Sequence, residues 1–487
     1  MLRIFTTLLA FQSACVAAST KLLHGGTIIA FDQATEQLRI VHDGSLLIED
    51  GWIASIFDTS SPKDLPRGTE MIDCTDKIIT PGFIDTHRHG WQTVFKTSGP
   101  NAPMAEYVAR YSPPAVRPLF TPEDLYISQL AGIYEAIAAG VTTILDHAHH
   151  TWTPEHAKAG LDASVDSGAR VFFAYTFQNS SAEFGIPEQI TQWRDLASSM
   201  SSNLTSLAIS YDEWATNPAG THTRAIIDLI NNSGTQVMTT HHVGGPWMLG
   251  NSPQDLDHAN ILDSSVPIVI SHASYIDPSG AALLRKTNKH ISITTESEMH
   301  YGLLHPTSHL VLDQASLGVD THFAFSTDIL TQARMFLQST RYRVFENTLD
   351  RWQIPDRSPL SVNQAFLLAT RNGGLALGRR DLGVIAQDAK ADIVVWNGRS
   401  PALLSWSDPV AAIILHASVG DIEHIMVDGE FKMRDRRLTA ENYKETQDLF
   451  LATAKRIQKA LSEIPLPPLE RTFPTGSPYG YVLPLHV

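Results

Sequence analysis

Pro81-Gly82-Phe83-Ile84-Asp85-Thr86-His87-Arg88-His89 reads as a short apolar strand, entered through Pro-Gly, that ends directly in His-x-His. Residues i and i+2 of a strand face one side, so His87 and His89 can aim two imidazoles at one metal ion. The stretch downstream of this strand decides the fold. From about residue 81 to 385, apolar strand-like runs alternate with longer helical stretches. The strand candidates after 83–86 are 141–146, 170–175, 207–210, 236–240, 266–271, 291–294 and 322–326. Pro122 to Ala139 reads as an amphipathic helix, with Thr121 as N-cap and Gly140 as its stop. Eight strands alternating with helices predict a (β/α)8 TIM barrel. A doubly wound sheet ranks second, because no Gly-rich phosphate fingerprint follows any strand.

The flanks have a different texture. Residues 20–80 read as strands and turns, with a hairpin signal at Asp50-Gly51. Short strands return at 392–396 and 422–432. The expected organisation is a leader at 1–18, one part of a small composite β-sandwich at 19–80, the barrel at 81–385, the second part at 386–439, and a C-terminal helix with a Pro-rich tail at 440–487. Arg3, the mostly apolar run Ile4–Val16 and the small residues before Ser19 give the leader its signal-peptide character. With the sequons at Asn179, Asn203 and Asn231, this reads as a secreted glycoprotein.

Composition bounds the function. The 487 residues are 43% apolar and only 18% charged, which excludes a mainly disordered chain or a coiled coil. A net charge of −15 leaves no basic footprint for nucleic acid. Two cysteines, Cys15 and Cys74, exclude a disulfide scaffold and a Cys-rich metal site. After the leader no stretch is long and apolar enough to span a membrane, so none is expected in the mature form. A small-molecule substrate is the expected partner, with homo-oligomerisation left open.

At the barrel's C-terminal rim, where catalytic groups sit, later strands supply partners for His87 and His89. His241 and His242 end the fifth strand, His272 the sixth and Asp328 the expected eighth. Three histidines and one aspartate suit one divalent ion, zinc ahead of iron(II). His147, His149 and His150 follow the second strand, as substrate contacts, a weaker second metal site, or a hydrated loop. Trp91, Trp152, Tyr175, Phe177, Trp247 and Tyr301 are candidates for an aromatic pocket wall or for ordinary packing.

Taken together, Pro81–His89, Gly140-Val141-Thr142-Thr143-Ile144-Leu145-Asp146, Ser326-Thr327-Asp328, Ala369–Gly378 and Ala391–Trp396 make the chain resemble the amidohydrolase superfamily, on its chlorohydrolase, guanine deaminase and cytosine deaminase branch. The resemblance implies a distorted barrel with a composite β-sandwich. It implies metal ligation by His87, His89, a fifth-strand histidine and Asp328, with His272 polarising the substrate. The family's spacing favours His241 as the ligand and leaves His242 as an acid–base candidate. Deaminase-like members carry Glu three residues after this histidine, whereas here the position is Gly244. Glu296 and Glu298 could supply a carboxylate from another direction, or be solvated loop residues. No lysine lies between Lys158 and Lys286, so a single metal is expected; Asp212 and Glu213 are the imaginable substitutes for a second.

The expected activity is metal-assisted hydrolysis of a C–N bond, in a cyclic amide, amide or amidine, within a small aromatic or heterocyclic metabolite. Asp328 is the expected base and His272 the expected partner of the developing oxyanion. A metal-dependent decarboxylase and a ring deaminase with a displaced proton shuttle are the alternatives. A non-catalytic scaffold ranks last, because the ligand set is complete.

Overall fold

The computed structural model describes residues 20–179, 181–465, 468–469 and 472–485, so the expected leader and Cys15 lie outside it. In chain order the strands are β1 (Thr20–Asp32), β2 (Gln37–Glu49), β3 (Trp52–Phe57), β4 (Glu70–Asp73), β5 (Lys77–Pro81), β6 (Phe83–Arg88), β7 (Val141–Ala148), β8 (Arg170–Phe177), β9 (Thr205–Tyr211), β10 (Met238–Val243), β11 (Ile268–Ser274), β12 (His290–Ile293), β13 (Ala315–Leu317), β14 (Ile393–Asn397), β15 (Ile422–Val427), β16 (Glu430–Arg434) and β17 (Arg437–Leu438). Strands β6 to β13 form one parallel eight-stranded sheet in sequential order. A bridge between Arg88 and Asp320 brings its two ends together. The remaining nine strands form a second sheet from both chain ends, ordered β17-β16-β15-β14-β5-β1-β2-β3 with β4 beside β1. The fold is the distorted barrel with a composite sheet that the alternation of runs predicts.

Local chemistry explains the main elements. The helix Pro122–Ala138 starts on a capping box between Thr121 and Asp124, with proline in its first turn. It stops at Gly140, whose φ of +86° only glycine adopts freely. Strands β6, β7 and β8 are buried at every residue, as parallel strands covered on both faces must be. The barrel floor is apolar, with Ile84, Phe172, Val269 and Leu377. Above it lies a polar layer in which Thr86 Oγ1 meets Ser292 Oγ at 2.7 Å and Ser316 Oγ at 2.8 Å. The histidines sit on this layer.

The eighth strand departs from expectation. It is Ala315–Leu317, paired in parallel with Ile291–Ile293, and not 322–326. Three residues are too few to show a strand period. The apolar run at 322–326 instead comes after the strand, and its Phe323 packs among Phe95, Tyr107 and Tyr111.

A buried ionic latch joins the two sheets. Arg170, the first residue of β8, donates to Asp392 at 3.0 and 3.1 Å and to Asp428 at 3.2 Å. Its side chain and that of Asp392 are 4% and 3% exposed. Removing one partner strands the other charge in a dry site. Arg170→Ala should therefore lower stability by about 3–5 kcal/mol in denaturant unfolding; a loss of about 1 kcal/mol or less would show that the pair behaves like a surface one.

Asp146 of β7 accepts from the Gly90 amide at 3.2 Å and Gln129 Nε2 at 2.7 Å. Burial, only partly offset by these donors, pushes its carboxyl up to about 7. The folded state then holds a proton that the unfolded chain releases near pH 4, so this group's contribution to stability falls as pH rises from about 4 to 7. D146N should flatten that slope, seen by comparing unfolding at the two ends of the window. An unchanged slope would show that Asp146 is ionised throughout.

Candidate metal centre

The end of β6 carries the first two imidazoles. The pairing of β6 with β7 shifts register between Asp85 and Arg88. Thr86 thereby faces the polar layer while His87 and His89 both reach the rim. His87 Nδ1 lies 2.7 Å from Ser271 Oγ, which is itself 3.3 Å from Thr239 Oγ1. His89 Nδ1 donates to the His147 carbonyl at 2.8 Å. His241, on β10, pairs its Nδ1 with Asp212 Oδ2 at 2.9 Å. Asp212 is anchored by the His241 amide at 2.7 Å and Thr240 Oγ1 at 2.9 Å.

The His147 carbonyl and the Asp212 carboxylate can only accept, which fixes the tautomers of His89 and His241, and the Ser271 hydroxyl can accept from His87 Nδ1 in the same way. With each Nδ1 protonated and engaged, three Nε2 lone pairs remain. They converge with a carboxylate. Asp320 Oδ1 lies 3.3 Å from His87 Nε2 and 3.2 Å from His89 Nε2. His241 Nε2 is 3.3 Å from His89 Nε2. His87 Nε2 is buried with no hydrogen-bond partner. Burial would raise Asp320, but His87 and His89 outweigh it and hold its carboxyl well below the usual range. Burial likewise holds His87 well below the ordinary histidine range. Three imidazole Nε2 atoms and one carboxylate thus face one buried point. The donor set therefore fits a divalent metal ion held by His87, His89, His241 and Asp320.

His272, at the end of β11, faces the same space; it groups with His87 and His241, ligand atoms within 4.8 Å of one another. Burial pushes its pKa down, but the Glu298, Asp320 and Asp212 carboxylates together outweigh this and the balance is upward. Its backbone is left-handed, with φ of +63° at His272 and +51° at Ala273. Strain of this kind in non-glycine residues persists only where surrounding contacts enforce it.

Two expected site residues lie elsewhere. Asp328 is the N-cap of the helix Ile329–Leu349, its carboxylate accepting from the Thr331 amide and from Thr331 Oγ1. The rim carboxylate is Asp320, which enters one turn of chain after the short strand β13. The signal for it is Leu317-Gly318-Val319-Asp320, a strand end less conspicuous than the more familiar Ser-Thr-Asp. A Cβ on Gly318 would stand 2.6 Å from Ser292 Oγ and 2.9 Å from the His87 backbone, so glycine is what lets the chain pass this close. His242 turns away from the centre; its Nδ1 donates to the carbonyls of Leu249 and Gly250 at 3.1 and 2.9 Å.

The histidine cluster after β7 divides. His147 Nε2 reaches Ser210 Oγ at 2.6 Å and Asp212 Oδ2 at 3.3 Å, behind His241. His149 stacks on His89 with ring centroids 3.9 Å apart and accepts from Trp91 Nε1 at 3.0 Å. His150 is buried against Gly160 and Phe173. A cleft of about 490 Å³ opens above the centre, walled by Met104, Tyr107, Phe177, Met248, Leu249 and Tyr301 among others. Of the candidate aromatics, Phe177 and Tyr301 line it. Trp91, Trp152 and Tyr175 belong to the core, and Trp247 packs on Phe473 of the tail. Thr475 of that tail also reaches the cleft, donating to the Trp247 carbonyl at 2.7 Å. At Gly244 a Cβ would stand 3.0 Å from the Ser274 carbonyl, so the end of β11 crowds the position where relatives are expected to carry glutamate.

Comparison with known proteins gives a consistent result. The amidohydrolase family profile matches residues 78–432. A 5-methylthioadenosine/S-adenosylhomocysteine deaminase of Pelotomaculum thermopropionicum is 23% identical over 86% of this chain and 94% of its own. A 5'-deoxyadenosine deaminase of Methanothermobacter thermautotrophicus is 24% identical over 86% and 95%. Among solved structures, an adenosine deaminase of Xanthomonas campestris with bound zinc superposes with a TM-score of 0.76 at 14% identity, covering 92% of this chain and 99% of that one. An atrazine chlorohydrolase of Arthrobacter aurescens in complex with zinc gives a TM-score of 0.73 at 17% identity, covering 89% and 100%.

The relatives correct one expectation. They are bacterial and archaeal deaminases that match most of this chain, which overturns the reading of a secreted glycoprotein. No helix among the described residues is long and apolar enough to cross a membrane. The chain is an enzyme, a hydrolase of carbon–nitrogen bonds other than peptide bonds. It belongs to the amidohydrolase family.

Proposed function

We propose that this protein is a mononuclear metal-dependent deaminase of a small aminated heterocycle, either the free base or its nucleoside. The observation that carries the reading is the convergence of three Nε2 lone pairs and the Asp320 carboxylate at the floor of a mostly apolar cleft. The naming of the relatives as adenosine-type deaminases supports the substrate class.

His87, His89, His241 and Asp320 would hold the ion, zinc in this reading. Such an ion supplies Lewis acidity and an acidified water at neutral pH. The chain's own residues do the rest. Asp320 is ionised and stands at the reacting position, so it accepts a proton from the nucleophile and returns it to the leaving nitrogen. His272 faces the same atoms. The apolar wall excludes bulk water and receives a flat ring. Asp212, behind His241, keeps that imidazole in its ligating tautomer.

The purified protein should contain about one divalent ion per chain, and H87A or H89A should lose most of it. D320N should retain some metal yet lower kcat by on the order of 10²-fold or more, as for a lost general base. D328N should keep both metal and rate, because an asparagine still caps the helix. The reverse ranking of D320N and D328N, by elemental analysis and kinetics, would overturn the assignment of Asp320.

Incubation with aminopurines, aminopyrimidines and their nucleosides, read by mass, should show loss of ammonia with gain of water. Gain of water alone would make the enzyme a ring-opening or amide hydrolase. Loss of carbon dioxide would make it a lyase.

A further inference from the structure

Ring deamination moves two protons. One leaves the attacking water for a ring nitrogen as the C–O bond forms. The second leaves the resulting hydroxyl for the amino group as the C–N bond breaks and ammonia departs. Asp320 suffices for the second transfer. For the first, a group must reach the ring from a second direction, and at Gly244 the chain has no carboxylate, a Cβ there standing close to the Ser274 carbonyl.

The short helix after β12, Thr295–His300, carries two carboxylates, Glu296 and Glu298. Glu296 is spoken for, accepting from Gln332 Nε2 at 2.8 Å and from Ser326 Oγ. Glu298 is different. It is 2% exposed, and its Oε1 accepts from the Thr294 amide at 2.9 Å and from Thr294 Oγ1 at 3.4 Å. Thr294 Oγ1 in turn lies 2.9 Å from His272 Nδ1, and Glu298 Oε1 itself is 3.6 Å from that nitrogen. A hydroxyl that donates to Glu298 is left to accept from His272, so the Nδ1–H is fixed there. The other end of His272 is clamped as well. His305 Nε2 donates to the His272 carbonyl at 2.6 Å, which holds the left-handed backbone in place. Ring and backbone are therefore pinned independently, and His272 lines the cleft.

We infer that Glu298, acting through Thr294, positions His272 as the proton carrier that replaces the missing glutamate. His272 Nε2 takes the first proton from the attacking water and delivers it to the ring nitrogen, and the Glu298 carboxylate, two bonds away through the hydroxyl, offsets the charge while the imidazole carries it. Glu298 and Thr294 are positioning residues; neither touches the substrate. The inference rests on the deaminase reading for the identity of the accepting nitrogen, but the pinned tautomer does not depend on it.

The test uses the zinc-loaded full-length protein and three near-isosteric variants: Glu298→Gln, Thr294→Val and Thr294→Ser. E298Q and T294V should lower kcat by about 10–100-fold, typical of a lost supporting partner. KM and zinc content should stay near wild type, and T294S, which keeps the hydroxyl, should restore the rate. In parallel, 15N NMR of histidine-labelled protein should show His272 protonated at Nδ1 in the wild type and in T294S, and a loss of that preference in T294V. If both E298Q and T294V keep the wild-type rate, or if His272 carries its proton on Nε2 in the wild type, the relay is wrong. If the wild type releases no ammonia from any aminated heterocycle while the NMR result holds, the deaminase reading fails and the positioning of His272 stands. A fall in zinc content parallel to the fall in rate would reassign Glu298 and Thr294 to metal retention and overturn the proposal.

Discussion

The His87 carbonyl accepts from two amides, Val319 at 3.0 Å and Asp320 at 2.7 Å, and the rest of the site depends on this junction. It is where the first and last strands of the barrel meet, so it is both a closure of the fold and a placement of chemistry. One peptide oxygen fixes the residue that carries an imidazole and the residue that carries the carboxylate opposite. Gly318 makes the approach close enough, since any Cβ there would collide with the His87 backbone. β6 and the segment after β13 therefore set the separation of His87 and Asp320 through the backbone.

The polar layer beneath explains how so many buried imidazoles are tolerated. Buried polar groups must be hydrogen-bonded, and a barrel interior offers few partners. Here Ser271, the His147 carbonyl and Asp212 each engage one Nδ1, which satisfies one end of each ring and commits the other. Burial keeps His87 and His89 neutral, while Asp320 stays ionised among them. The outcome is an anionic pocket of acceptors with no donor at its centre. Such a cluster is destabilising when empty, and a cation that binds the native state but not the unfolded chain would recover that energy. Ligand geometry and fold stability are thus coupled at one point.

What could be read from the sequence tracked the strength of local signals. The barrel was legible because its helices carry explicit starts and stops, Thr121 to Gly140 being the clearest, and because its buried strands are long apolar runs. His87, His89, His241 and His272 were legible as histidines at the ends of such runs. Asp320 was not. Its strand is three residues long, the preceding segment is a series of single turns, and Ser326-Thr327-Asp328 a few residues later offered a better-looking ending. That second aspartate has a local task, capping a 21-residue helix, which spacing cannot distinguish from ligation. The same limit applied to Glu296 and Glu298. Two residues apart on one short helix, they point in different directions, and one reaches Gln332 while the other reaches the Thr294 side chain beside His272.

The contrast between β10 and β11 shows how the site compensates for a lost group. After His241 the chain passes through Gly244 and Gly245, the latter at φ +59°, and the backbone of β11 moves into the space a side chain would need. Gly244 donates its amide to the Ser274 carbonyl at 2.9 Å, so the two strand ends are tied where they would otherwise splay around a carboxylate. This tie accompanies the left-handed run at His272, Ala273 and Tyr275, because β11 must bend to meet β10. On this strand end His272 Nδ1 lies 2.9 Å from Thr294 Oγ1. A glycine at one strand end and a pinned histidine at the next are two sides of one backbone rearrangement. A glutamate reintroduced at position 244 would press its Cβ against the Ser274 carbonyl, the acceptor of the Gly244 amide, on the strand end that carries His272.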